Sequence, residues 1–362
     1  VIRIESTIRN LADSLLMIGL QKGASDLHII PQQNAGLVRF RVGNNLTTGP
    51  SLKKHAFERL LAHFKFTASM DIGDRRRPQS GAYSFLHNGK KIGLRISTLP
   101  ANGSESMVIR LLYSQEKIPV YKLSLFPGTS CKLASLLKCA NGLIILTGPT
   151  GSGKSTTLYS LLSETSLIAG KNIISIEDPV EKESDTVLQV GVNEKAGITY
   201  ASGLKAILRH DPDIILIGEI RDAETAHIAV RAALTGHLVL TTMHTRNAKG
   251  AIYRLLEFGI THQEIEQTMI ASTAQRLVEL SCPYCGDVCS PQCYGMGRPK
   301  RGSVFEFLAG DQLKQAILES KGLEVPNTSN FMSLGHHIAK GIALGFIKKQ
   351  EYQRWVLDEM EE

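Results

Sequence analysis

Apolar residues recur along this chain in two different patterns, and the change between them falls near residue 115. Over residues 4–20 the stripe Ile4, Ile8, Leu11, Leu15 and Ile18 has the spacing of a helix with one apolar face. ASDLHII (24–30) and LVRFRV (37–42) alternate as strands do, around a Pro/Asn/Gly turn. Residues 55–70 return to helical spacing. GAYSFLHNGKKIGLRIS (81–97) holds two strand-like runs joined by Asn88-Gly89, a dipeptide suited to a tight hairpin, and SMVIRLL (106–112) supplies a third. These elements predict a small α+β domain over 1–115. Two prolines mark residues 116–127 as a linker.

From residue 128 the apolar residues come in continuous runs instead: LIILT, IISI, DIILIG and LVLTTM, separated by stretches with helical spacing. A strand that is apolar on both sides is buried on both faces, so the expectation over 128–280 is an α/β domain with a largely parallel sheet. Residues 281–362 read as a cysteine loop followed by a mostly helical C-terminal region.

Composition adds little to that division, but charge adds something. The 362 residues are 43% hydrophobic and carry a net charge of +7. Residues 1–115 hold 16 Lys and Arg against 7 acids, and the remainder 25 against 27, so the basic character belongs to the first domain. Such a surface suits nucleic acid, anionic lipid or an acidic partner, or is simply a solvated face. No apolar run approaches the roughly 18 residues that span a bilayer, and VIRIESTIRNLADSLL does not read as a secretory leader. The expectation is a cytoplasmic protein.

GPTGSGKS (148–155) matches the P-loop pattern in full: Gly148, four residues, Gly153, Lys154, Ser155. Glycines let successive backbone N–H groups curl around an anion, and the following helix, TTLYSLL, points its positive end at the same place. The expected nucleotide contacts are Thr150, Gly151, Ser152, Gly153, Lys154, Ser155 and Thr156, with Lys154 on the outer phosphates and the Ser155 hydroxyl on magnesium.

In an open α/β sheet, ligands bind at the carboxyl ends of the strands. LIILT runs into the P-loop, IISI into Glu177, DIILIG into Glu219 and LVLTTM into His244. Parallel strands would bring all four to one edge. His237 precedes its strand and belongs at the opposite edge. ATP hydrolysis needs a held metal, an oriented water and positive charge at the transition state, and Glu177 and Glu219 suit the first two needs. Many ATPases end the third of these strands in aspartate; here Gly218 stands in that place.

The set GPTGSGKSTT, IEDPVE, RHDPDIILIGEIRD and TGHLVLTTMHT resembles, in order, the Walker A, Asp box, Walker B and His box of the secretion ATPases. These power type II secretion, type IV pili and competence pseudopili. ASDLHI and RISTLPANGSESMVIRLL are similar to that family's N-terminal domain, and the short length and compact cysteine loop are most similar to its competence branch. The resemblance implies a RecA-like P-loop core using ATP and Mg, with Glu219 as catalytic acid and Glu177 as the Asp-box acid. It implies His244 as the His-box histidine, and Arg95 and Arg110 as arginines that reach the nucleotide from the first domain. It further implies a homo-hexamer, peripheral at the inner face of the cell membrane, that acts on a membrane-embedded platform protein and through it on pilin-like subunits. A P-loop nucleic-acid motor is the alternative; it would want aromatic stacking platforms, and the aromatic share is 6%. No sequence-specific nucleic-acid binding is expected.

Cys282, Cys285, Cys289 and Cys293 follow C-x2-C-x3-C-x3-C. Four thiolates could enclose zinc tetrahedrally, or the cysteines are reduced structural thiols; both readings stand at this point.

Overall fold

The computed structural model describes residues 2–42, 45–87, 90–101, 103–112, 118–164, 168–180, 184–282, 284–286, 293, 301–323 and 331–357. The Asn88-Gly89 turn and Cys289 lie outside the described residues. The chain divides into two compact units, Val1–Glu116 and Lys117–Glu362.

The first unit opens with helix α1 (Ile2–Gln21) and then strands β1 (Asp26–Pro31), β2 (Ala35–Val42) and β3 (Asn45–Lys53). Helix α2 (Lys54–Thr67) follows, then β4 (Gln79–His87), β5 (Lys90–Ala101) and β6 (Ser104–Leu112). The six strands form one antiparallel sheet in the order β3-β2-β1-β6-β5-β4. Alternate residues point to opposite faces. Leu27, Ile29, Val38, Phe40, Leu94, Ile96, Met107 and Ile109 make the inner face and pack with Leu15 and Leu16 of α1 and Phe57, Leu60 and Phe64 of α2. Strand β3, NLTTGPSLK, was not expected. It is an edge strand, exposed at most positions and interrupted by Gly49 and Pro50, so no apolar alternation marks it.

The second unit holds α3 (Pro127–Leu136), β7 (Gly142–Thr147), α4 (Lys154–Leu162), β8 (Ile173–Glu177), β9 (Leu188–Gly191) and α5 (Tyr200–Ile207). It continues with β10 (Ile214–Ile217), α6 (Ala223–Leu234), β11 (Leu238–Met243), α7 (Gly250–Glu257) and α8 (His262–Thr268). Strands β12 (Met269–Glu279) and β13 (Arg301–Ala309) and helices α9 (Asp311–Ser320) and α10 (Leu334–Ala343) follow, and then a short helical segment, Gln350–Tyr352 running on into Gln353–Leu357. The sheet order is β13-β12-β7-β11-β10-β8-β9, parallel throughout except for antiparallel β13. The continuous apolar runs are explained by two cores. Leu143, Ile145, Ile215 and Ile217 face one with α5 to α10, while Ile144, Leu146, Ile214 and Leu216 face the other with α3 and α4. Each such side chain contributes about 1.5–3 kcal/mol by leaving water. The C-terminal region is less purely helical than its text suggests, since β13 completes the sheet. Residues 118–127 also depart from a plain linker: Val120 and Leu123 are buried in the second unit's core. Among the described residues no helix is long and apolar enough to cross a membrane.

Candidate active site at the carboxyl edge of the parallel sheet

Register places the proposed chemistry on one edge. Ile217 lies beside Ile176 on one neighbour and Thr241 on the other, and Met243 lies beside Thr147. The residues that end or follow these strands, Glu177, Glu219, His244 and Gly148, therefore lie at the same edge of the sheet. His237 sits at the amino end of β11, where its Nδ1 lies 3.0 Å from the Ala232 carbonyl at the end of α6.

Between β7 and α4 the loop turns through three glycines with positive φ, Gly148 (142°), Gly151 (78°) and Gly153 (91°). A side chain at Gly148 would lie 2.6 Å from the Gln275 carbonyl oxygen, and one at Gly153 would lie 2.8 Å from Gln275 Nε2. The loop is therefore pressed against β12, and only glycine fits. Lys154 is buried; its ammonium donates to the carbonyls of Gly148 (2.7 Å) and Pro149 (3.0 Å). The Ser152 hydroxyl is buried without a hydrogen-bond partner, the kind of orphaned donor that an anion in the loop would satisfy. Thr150, Gly151 and Ser155 are exposed, and Thr156 is half-buried. The loop fits a nucleotide phosphate, and the exposed Ser155 at the helix start is free of the core and suits a magnesium ligand.

Glu177, 6% exposed, is held from three directions. The Tyr159 hydroxyl donates to its carboxylate, 2.6 and 2.7 Å from the two oxygens. Ser175 Oγ donates at 2.6 Å and Gln189 Nε2 at 3.4 Å, and the same amide donates to Tyr159 at 2.7 Å. Tyr159, Ser175 and Gln189 carry no motif that would have singled them out.

Glu219 shares its carboxylate between a guanidinium and an imidazole. Arg221 contacts one oxygen, and His244 Nε2 stands 3.4 Å from the other. Burial pushes the His244 imidazole below its usual range, the positive charge of Lys154 pushes it further, and the attraction of Glu219 does not cancel them. The ring is therefore neutral at pH 7. Arg221 was not anticipated, although it stands two residues beyond Glu219 in GEIRD.

Gly218 is explained by crowding. A side chain there would lie 2.9 Å from the Tyr200 hydroxyl and 3.4 Å from the Glu177 Cα. The Tyr200 phenol is pushed up by burial and by the charges of Glu219 and Asp178, so it stays neutral. Gly218 is fastened on both sides, its N–H donating to Ile176 O (2.8 Å) and its carbonyl accepting from Thr242 Oγ1 (2.7 Å). An aspartate there would have to displace the Tyr200 hydroxyl, and the acid stands one residue later.

Arg95 and Arg110 lie directly opposite each other on β5 and β6 of the first unit, both exposed. Like charges across a rung are destabilising. Asp26, the next residue in that rung, offsets this: Arg110 Nε donates to its Oδ1 at 2.9 Å, and Ser25 Oγ donates to Oδ2 at 2.8 Å. Burial raises the Asp26 carboxyl, but these bonds outweigh it and hold the group below the usual carboxylate range.

In the cysteine loop the ligand atoms of Cys282, Cys285 and Cys293 all lie within 4.8 Å of one another, with Cys285 and Cys293 sulfurs 3.1 Å apart. Four sulfurs around zinc at about 2.3 Å stand roughly 3.8 Å apart, so this convergence fits such an ion.

The sequence pattern of the family described as type II/IV secretion system protein matches residues 3–354. The competence protein ComGA of Bacillus subtilis is 52% identical over 360 residues, covering 98% of this chain and 99% of that protein. The type II secretion system protein HxcR of Pseudomonas aeruginosa is 35% identical, over 96% of this chain and 77% of its own length. A crystal structure of the pilus retraction motor PilT with bound ADP has a TM-score of 0.74, with 27% identity over 96% of this chain and 97% of that one.

Proposed function

The chain belongs to the type II/IV secretion system protein family, and from that premise we propose that it is an ATP-hydrolysing motor. It works as a homo-hexamer, peripheral at the inner face of the cell membrane in the cytoplasm. It powers assembly of a competence pseudopilus through a membrane-embedded platform protein that moves pilin-like subunits. The observation that carries this is the shared edge: a glycine loop with Lys154, and Glu177, Glu219 and His244 leaving neighbouring parallel strands beside it.

In this mechanism the backbone amides of 150–156 and Lys154 bind the triphosphate, Lys154 exchanging its two carbonyl partners for phosphate oxygens. Ser155 would hold the magnesium ion, which when bound would supply positive charge against the phosphates. Glu219 turns its carboxylate from Arg221 to orient the attacking water, and Glu177, held by Tyr159, Ser175 and Gln189, supports the water and metal side of the site. His244, neutral and close to Lys154, registers the outer phosphate. Arg95 and Arg110 add their planar forks at the transition state, a contribution of about 10³–10⁵ in rate where arginine fingers have been measured. Cys282, Cys285 and Cys293, with Cys289, hold a structural zinc.

Steady-state ATP hydrolysis with magnesium, measured with and without DNA at physiological salt, tests this function. Turnover that is independent of DNA is expected. Strong, saturable stimulation by DNA would instead identify a nucleic-acid motor, and absence of turnover would remove the motor altogether.

A further inference from the structure

Strand β12 carries two polar side chains into the interior behind the P-loop. Gln275 is 1% and Arg276 3% exposed. Gln275 Oε1 accepts from Thr157 in the first turn of α4 (3.0 Å), and Gln275 Nε2 donates to Ser303 of β13 (3.3 Å). Its backbone is the surface on which Gly148 rests. Arg276 reaches in two directions from there. Nη1 donates to the Gln275 carbonyl (3.2 Å), and Nη2 donates to the carbonyl of Arg246, two residues past His244. The guanidinium then stacks 5.2 Å from the ring centroid of Trp355, whose indole N–H donates to the buried Glu351 at 2.9 Å. One side chain thus touches the strand under the phosphate loop, the loop after His244, and the C-terminal segment.

Burying a guanidinium to tie two backbone carbonyls together is an expensive way to fill space, because the ion loses its hydration. An apolar side chain would pack β12 more simply. What a planar fork offers and an apolar residue does not is a fixed separation between its two acceptors. We propose that Arg276 is a positioning residue that sets the His244 loop at a fixed distance from the P-loop, and that Trp355 secures it, linking the C-terminal segment to the nucleotide site. This rests on the proposed place of His244 at the nucleotide.

Trp355 is the only tryptophan in the chain, so its emission reports on this link directly. Titration with magnesium and ADP should change the emission with the same midpoint that calorimetry gives for binding. Binding without any change in emission overturns the link. Absence of binding by calorimetry overturns the nucleotide reading itself. A kinetic cycle separates positioning from mere stability. Arg276→Lys keeps a cation that cannot span both carbonyls. It should lower kcat by on the order of 10²-fold, the cost of misplacing a group by about 1 Å, with KM for ATP nearly unchanged. In a His244→Ala background it should lower kcat no further. Losses that multiply, or a lowered melting temperature with unchanged kcat, overturn the proposal. A His244→Ala protein with normal kcat would instead overturn the role of His244. Should Arg276→Lys fail to fold, Trp355→Leu carries the same cycle: Arg276 keeps both carbonyl acceptors, Glu351 loses the indole N–H but keeps Arg354 at 3.7 Å, and the same non-additivity is expected.

Discussion

Glu219 is the residue on which the proposed chemistry turns, and its surroundings set two opposing demands. Arg221 draws the carboxylate aside, while His244 lies within reach of its other oxygen. The imidazole is kept neutral first by burial and next by Lys154. A triphosphate arriving between Lys154 and His244 reverses that balance, because a nearby anion favours the charged ring. The His244 pKa in the free protein should therefore lie below the ordinary value of about 6.5 and rise when a non-hydrolysable ATP analogue and magnesium bind, as followed by NMR titration of the ring protons. The sign for stability is the same. A histidine with a depressed folded pKa contributes stability above its unfolded pKa and loses it as pH falls through the folded value. A free-protein pKa at or above the ordinary value, or no movement with nucleotide, would remove His244 from the phosphate site.

At the scale of elements, what was legible was what packing writes into sequence. Strands β7, β8, β10 and β11 are buried on both faces, and their continuous apolar runs can be read without any structure. From their parallel direction follows the common edge, and from Gly148, Gly151 and Gly153 the loop between β7 and α4. Strands β3 and β9 were not legible because they are edge strands whose side chains are nearly all exposed or half-buried, so no buried alternation marks them. Strand β12 escaped for the opposite reason. It is buried almost throughout, yet carries Gln275 and Arg276, so its text breaks the apolar run that marks its neighbours. The supports of the site were hidden similarly. Tyr159, Ser175, Gln189 and Tyr200 matter through where their hydroxyl and amide groups arrive, and no spacing announces that. The spacing of the cysteines was readable in the text, but not the convergence of Cys282, Cys285 and Cys293. Protein purified without added zinc should carry about one zinc per chain and lose it on Cys285→Ser. A stoichiometry near zero in metal analysis would leave the cysteines as structural thiols.

For the whole molecule, the two units divide the labour unequally. The second holds the entire carboxyl edge, and the first holds the basic surplus, with Arg95 and Arg110 exposed on its sheet and Asp26 steadying the second of them. The change of apolar rhythm from alternating to continuous falls close to the division between the two units. The role of Asp26 was not readable, because a lone acid in ASDLHI gains its meaning only when β1 and β6 lie side by side. The central claim is that the shared edge is a site of ATP hydrolysis in which Glu219 orients the water. It is tested most directly by measuring ATP binding and single-turnover hydrolysis in Glu219→Gln. Binding close to that of the unaltered protein, with hydrolysis slowed by about 10²–10⁴-fold as for loss of a general base, is the result predicted. Near-normal hydrolysis in that variant would contradict the account.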